Sequence, residues 1–211
     1  TRSYSSAASD VYKRQSKDTL ISRRHDGLSG QFLVPGDKSI SHRSLILGGL
    51  AIGRTRVTGL LEGDDVLATC NAMRALGVTI THEDDGSWLV HGVGTAGLMS
   101  PAVPLDLGNS GTGVRLLMGV VAGQPITATF SGDDSLSQRP MARVTDPLAA
   151  MGAQITSRDG GRLPVTIKGV ADPLAAAHTT KVASAQIKSA VLLAGINARG
   201  TSTVTEPHAS R

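Results

Sequence analysis

Ala75-Leu76-Gly77-Val78-Thr79-Ile80-Thr81 returns 75 residues later as Ala150-Met151-Gly152-Ala153-Gln154-Ile155-Thr156. In both places a helical apolar stripe stops at a glycine and an alternating strand follows at once. Matching patterns in register mark an internal repeat. Upstream of the first copy, Glu62-Gly63-Asp64-Asp65 opens a helix predicted over 66–76, with Val66, Cys70 and Met73 on one face. Downstream, apolar stretches at 78–81 and 88–90 flank a polar turn at 83–87, the pattern of a hairpin. Before the helix lie an alternating strand over 53–59, a helix over 44–51, and the apolar run Gln31-Phe32-Leu33-Val34-Pro35, read as an opening strand. The unit is β-α-β-α-β-β.

The same order follows in the second copy. A strand at 105–107 leads through a turn at 108–113 into a helix from Val114, and a strand over 126–130 comes next. A loop over 131–140, a helix over 141–151 and hairpin strands at 153–156 and 165–167 complete it. A third copy begins at a shift of 147 residues, which lays Gly200-Thr201-Ser202-Thr203-Val204-Thr205 over Gly53-Arg54-Thr55-Arg56-Val57-Thr58. The same shift lays Ser184-Ala185-Gln186-Ile187-Lys188 over Asp37-Lys38-Ser39-Ile40-Ser41. The sequence ends at Arg211, opposite Asp64 of the first copy, so the third unit is incomplete. The fold class is α/β: repeated units packed around a pseudo-threefold axis.

Gly36-Asp37-Lys38-Ser39-Ile40-Ser41-His42-Arg43 stands where the first strand passes into the first helix. Free N–H groups and the positive dipole end favour an anion at such a place. An ammonium, a hydroxyl and a guanidinium strengthen that preference. On this stretch alone, a plain helix cap with solvated cations reads equally well. The repeat changes the balance, because Lys38-Ser39, Gly111-Thr112 and Ala185-Gln186 occupy equivalent first turns. Three units around one axis would aim three helix entrances at a shared anionic ligand. Arg139 and Arg211 come from equivalent later loops and would each offer a guanidinium fork. Ser39 is read as a ligand contact and His42 as helix surface, in preference to nucleophile and base.

Composition sets the outer limits. The 211 residues carry 21 Lys and Arg against 17 Asp and Glu, and only 2% aromatics. The net charge of +4 suits small polyanions, whereas nucleic acid would call for a basic block and stacking aromatics. The single cysteine, Cys70, excludes an internal disulfide framework and is read as core. No Cys/His cluster has zinc-ligand spacing, and no metal or cofactor is expected. No apolar run reaches the ~18 residues that a membrane span needs. Residues 1–29 are polar and aperiodic, read as a disordered or non-native tail. A P-loop is excluded because Asp37 separates Gly36 from Lys38. The glycines over 108–116 do not fit a dinucleotide fingerprint, and no Gly-x-Ser-x-Gly elbow occurs.

With these motifs assembled, the sequence resembles the enolpyruvyl transferases, and among them the EPSP synthases. The resemblance rests on residues 35–43, Gly108-Asn109-Ser110-Gly111-Thr112, Gln138-Arg139-Pro140-Met141 and Ser184-Ala185-Gln186-Ile187-Lys188-Ser189-Ala190, the last in class II form. It implies a two-domain protein, each domain of three units, with residues 30–211 as part of the first domain. The units would span about 30–104, 105–180 and 181–211, the second domain lying outside this sequence. It further implies transfer of the enolpyruvyl group of phosphoenolpyruvate to the 5-hydroxyl of shikimate 3-phosphate, by a cytoplasmic enzyme of aromatic amino acid synthesis, monomeric at full length.

Carried over residue by residue, Lys38 would touch both substrates and offset charge during catalysis. Ser39, Arg43, Ser184, Ala185, Gln186 and, with a weaker match, Arg211 would hold shikimate 3-phosphate. Gly111, Arg139 and Gln186 would line the phosphoenolpyruvate site. Ala185 has no hydroxyl, so any contact there comes from backbone. The family's proton-transfer residues lie in the other domain, so the 211-residue chain is expected to be inactive alone. Glyphosate is implied as an inhibitor, and Gly111, where some tolerant class II enzymes carry Ala, leans towards sensitivity. Two alternatives stay open: an enzyme acting on UDP-N-acetylglucosamine, which typically carries a Cys in the loop where Arg139 sits, and a non-catalytic anion-binding module.

Overall fold

The computed structural model describes Ile21, Gly27 and residues 29–210. The expected tail therefore falls almost wholly outside the described residues, as does Arg211. The first unit contains α1 (Lys38–Leu50), β1 (Ile52–Val57), α2 (Asp64–Ala75), β2 (Thr79–His82) and β3 (Trp88–Val93). The second contains β4 (Leu105–Asp106), α3 (Gly111–Ala122), β5 (Thr127–Ser131), the single turn α4 (Asp134–Ser137), α5 (Ala142–Ala150), β6 (Gln154–Arg158) and β7 (Arg162–Lys168). The third supplies α6 (Ala185–Ala194), a short 3-10 turn (Gly195–Asn197), β9 (Thr203–Thr205) and, from just before the boundary expected at about 181, β8 (Ala177–Thr179), which pairs with β9.

Each unit forms its own sheet, ordered β1-β3-β2, β4-β5-β7-β6 and β8-β9. β4 with β5 and β8 with β9 pair in parallel, and the remaining ladders are antiparallel. The opening strand expected at 31–35 does not form: these residues have no ladder partner, and Phe32 and Leu33 are 85% and 99% exposed. A run that neither pairs its backbone nor buries its side chains has nothing to hold it as a strand. The first unit is thus α-β-α-β-β. The loop expected over 131–140 contains α4, because the Asp133 carboxylate accepts from Leu136 N at 2.7 Å while Leu136 is buried.

The helices lie inside and α3 is central. Its Val114, Leu116, Leu117, Met118, Val120 and Val121 are all buried, as an all-round apolar helix requires. It packs most extensively on α6, with α2, α5, α1 and the second sheet around it. Gly119 and Gly123 face Ala190 and Ala194 of α6 so closely that a Cβ on Gly119 would lie 2.2 Å from the Ala190 carbonyl oxygen. The expected face of α2 is also present: Val66, Cys70 and Met73 are all buried, and burial raises the pKa of the Cys70 thiol. Of the apolar residues 191–193 on α6, Val191 is buried and Leu192 is left 44% exposed. No helix among the described residues is long and apolar enough to cross a membrane.

Candidate functional site

Each unit opens its first helix with a side-chain cap. Ile40 N donates to the Asp37 carboxylate at 2.8 Å, Gly113 N to the Ser110 hydroxyl at 3.1 Å and Ile187 N to the Ser184 hydroxyl at 3.4 Å. The caps start the helices at Lys38, Gly111 and Ala185, the three positions aligned by the repeat.

Side chains then join the entrances. Arg43 donates through Nη2 to Ser189 Oγ at 2.7 Å, linking α1 to α6, and through Nη1 to the Ser39 carbonyl at 3.0 Å. The Gln186 carboxamide links α6 to α3: its oxygen accepts from Arg115 Nη1 at 2.9 Å, and its nitrogen donates to Thr112 Oγ1 at 3.1 Å. Lys38, Ser39, Arg43, Gly111, Ser184, Ala185 and Gln186 therefore gather at one end of the helix layer. Arg139 reaches the same place. Its guanidinium donates to the Asn109 carboxamide oxygen and to Ser135 Oγ, and a Cβ on Gly111 would lie 2.9 Å from its Nη1.

The charges here are held rather than loose. Lys38 pairs with the Asp65 carboxylate from the start of α2, a pair that stays half-open to solvent. Asn109, besides accepting from Arg139, donates to the Asp133 carboxylate at 2.8 Å. Backbone donation from Leu136, then the Asn109 amide, keeps the Asp133 pKa below the usual carboxylate range. Lys188 donates to the Glu206 carboxylate at 2.6 Å, and Ser184 N donates to the same carboxylate at 2.7 Å.

Three features escape the sequence reading. Arg115 donates to the Gly111 carbonyl at 2.9 Å as well as to Gln186. Burial, then repulsion from Arg139 and Arg143, lowers the pKa of its guanidinium. The available signal was its spacing, four residues after Gly111 and hence on the same face of α3. Asn109 is the second, a turn residue whose side chain sets Arg139 in place. The third is a correction: His42, expected on the helix surface, is fully buried and hydrogen-bonded through Nδ1 to Thr69 Oγ1 at 2.8 Å. Position in a polar motif does not reveal which face of the helix meets α2.

The arrangement can take an anion of more than one charge, with guanidinium forks on the α3 side and Lys38 with Arg43 on the α1 side. Among the described residues no group of three or more His, Cys, Asp or Glu is placed to hold a metal ion.

Known proteins are similar to this chain in sequence and fold. The 3-phosphoshikimate 1-carboxyvinyltransferase of Rhodopseudomonas palustris (strain HaA2) is 62% identical over 193 residues, covering 91% of this chain and 43% of the relative. The enzyme of the same name from Novosphingobium aromaticivorans is 61% identical, covering 87% of this chain and 42% of its own length. The solved EPSP synthase of Acinetobacter baumannii superposes with a TM-score of 0.83 at 49% identity, over 86% of this chain and 41% of that one. The chain thus spans about two fifths of the length of the curated relatives it matches. The family model for EPSP synthase (3-phosphoshikimate 1-carboxyvinyltransferase) matches residues 23–211, and to that family the chain belongs.

Proposed function

We propose that this chain forms part of an enolpyruvyl transferase acting on shikimate 3-phosphate and phosphoenolpyruvate. The observation that carries the reading is the joining of three capped helix entrances by Arg43 to Ser189 and by Gln186 to Arg115 and Thr112. Lys38, Ser39, Arg43, Ser184, Gln186 and the Ala185 backbone would hold shikimate 3-phosphate, with Arg211 as a further phosphate contact. Gly111, Arg139 and Gln186 would line the phosphoenolpyruvate side, and Lys38 would serve both. In the reaction the 5-hydroxyl gives up its proton and its oxygen bonds to C2 of phosphoenolpyruvate as C3 gains a proton. The C2–O bond to phosphate then breaks, a proton leaves C3, and the C=C bond returns. Lys38 and Arg139 would offset negative charge on the phosphoenolpyruvate side, a preorganised contribution of roughly 3–4 kcal/mol per group.

No proton-transfer residue is assigned within residues 1–211, so the purified chain should bind substrate without releasing phosphate at full-length rates. The same reading makes the full-length protein a cytoplasmic monomer inhibited by glyphosate, its first domain formed by residues 30–211 in three units. Calorimetric titration with shikimate 3-phosphate tests it. Lys38→Ala and Arg43→Ala should each weaken binding by roughly tenfold or more, as loss of a charge-assisted contact implies. A loss well under ~1 kcal/mol in either removes the proposed role.

Gly111 supports a second measurement. A methyl there would meet Arg139 Nη1 at 2.9 Å and Arg115 Nη1 at 3.0 Å, both at the ends of flexible side chains. Gly111→Ala should therefore fold normally while shifting both guanidiniums. In the full-length protein the inhibition curve should move to higher glyphosate concentration, with weaker phosphoenolpyruvate binding. Unchanged curves would remove Gly111 from that site.

A further inference from the structure

Lys38 and His42 lie four residues apart on α1, and Asp65 and Thr69 lie four apart on α2, so each pair shares one helix face. The two faces meet as a ladder of two rungs. The outer rung is the Lys38–Asp65 ion pair, with side chains 50% and 25% exposed. The inner rung is His42 Nδ1 with Thr69 Oγ1 at 2.8 Å, both residues fully buried.

The hydroxyl proton of Thr69 is directed to the Asp65 carbonyl at 3.3 Å, which leaves Thr69 Oγ1 to accept from His42 Nδ1–H. His42 Nε2 then carries a lone pair, and it has no partner among the described residues. Burial, reinforced by the nearby Lys38 charge, holds the imidazole pKa down to about 4, so the ring is neutral at pH 7. Thr69 is confined from its other side by α3, where a Cβ on Gly113 would lie 2.4 Å from Thr69 Oγ1. The inner rung is thus built between three helices at the foot of the site.

An exposed Lys–Asp pair contributes little on its own and costs side-chain freedom to maintain. A buried hydrogen bond one turn below holds the two helix backbones in the register that the pair needs. We propose that His42 and Thr69 are positioning residues, which fix α1 against α2 so that the Lys38 ammonium is held at the mouth of the site. The inference deepens the proposed function, resting on Lys38 as a substrate cation, but its first test needs no substrate.

That test is NMR of the lysine ammonium groups in the 211-residue chain. Lys188, tied to Glu206 and Ser210, is the held reference within the same spectrum. Lys181, with no partner among the described residues, is the free one. Thr69→Val keeps the shape and removes the acceptor, so the Lys38 order parameter should fall towards that of Lys181 while Lys188 stays ordered. Thr69→Ser should retain the parent value. His42→Asn, whose amide nitrogen replaces Nδ1, should also retain it, and His42→Leu should not. Equal Lys38 order in Thr69→Val and the parent overturns the proposal. Loss of order at Lys38 and Lys188 together overturns it too, because the rung would then serve packing alone. Titration with shikimate 3-phosphate adds a second arm, with binding about fivefold to tenfold weaker in Thr69→Val and within about twofold in Thr69→Ser. If the parent chain does not bind shikimate 3-phosphate, the proposed function fails while the ammonium spectra still decide the positioning role.

Discussion

Gly119→Ala is expected to lower the melting temperature by roughly 3–10 °C, and Gly119→Val to prevent stable folding. The crossing of α3 and α6 leaves no room for a methyl. A Cβ on Gly119 would lie 2.2 Å from the Ala190 carbonyl oxygen and 2.7 Å from Ala190 Cα, and one on Gly123 would lie 2.5 Å from the Ala194 carbonyl oxygen. These neighbours are backbone, so relief requires a whole helix to move. Helix propensity acts in the other direction, since alanine is favoured over glycine by ~0.8–1.0 kcal/mol in a helix interior. Overpacking at about 1–3 kcal/mol, or more against rigid backbone, outweighs it. Thermal unfolding by circular dichroism measures the balance, and an unchanged or raised melting temperature would mean that propensity wins. Any outward shift of α6 also carries Gln186 away from Arg115 and Thr112, so site binding should weaken together with stability.

Acid should destabilise the fold in two separate windows, the upper one belonging to His42. Its pKa is about 4 in the folded chain against the ordinary 6.5, because burial and then Lys38 disfavour the imidazolium. As pH falls from 6.5 towards 4 the unfolded chain takes up a proton that the folded chain does not, so stability declines across that interval. It is fully present above 6.5, and the slope ends near 4 where the folded state protonates as well. At 1.36 kcal/mol per unit, the loss is on the order of 3 kcal/mol. Glu206 and Asp85 act lower. The Lys188 hydrogen bond first for Glu206, and the Ser87 hydroxyl first for Asp85, hold them at about 2, so their contribution disappears between the ordinary carboxylate range and about 2. Urea unfolding at stepped pH should show the upper window in the parent chain. His42→Asn should be flat there, and an unaltered slope in that variant would assign the window to another group.

The helices and hairpins were legible where one signal dominated. The stop at Gly77 was readable because the position needs a positive φ, observed at +99°. The alternation over 78–81 was readable because one side of the strand is covered, with Ile80 buried between exposed Thr79 and Thr81. Residues 31–35 misled for the converse reason. An apolar run forms a strand only if a neighbour accepts its ladder, and composition says nothing about the neighbour. The entrance residues Lys38, Gly111 and Ala185 were found through the repeat, which aligns backbone positions. His42 and Arg115 were not, because their roles depend on which helix lies across from them. Sequence spacing defines a face, and only packing says what that face meets.

The bond between Arg43 and Ser189 joins residues 146 apart in sequence, and that from Gln186 to Thr112 spans 74. Contacts of such separation are closed late, because the entropy of the intervening loop is lost before they return any energy. During synthesis the entrance of α1 is made early, but its partner on α6 leaves the ribosome only after the second unit is complete. The anion site is accordingly a late product of folding. A nascent chain released before Ser189 would lack the α6 face on which α3 packs, and would have no joined entrance.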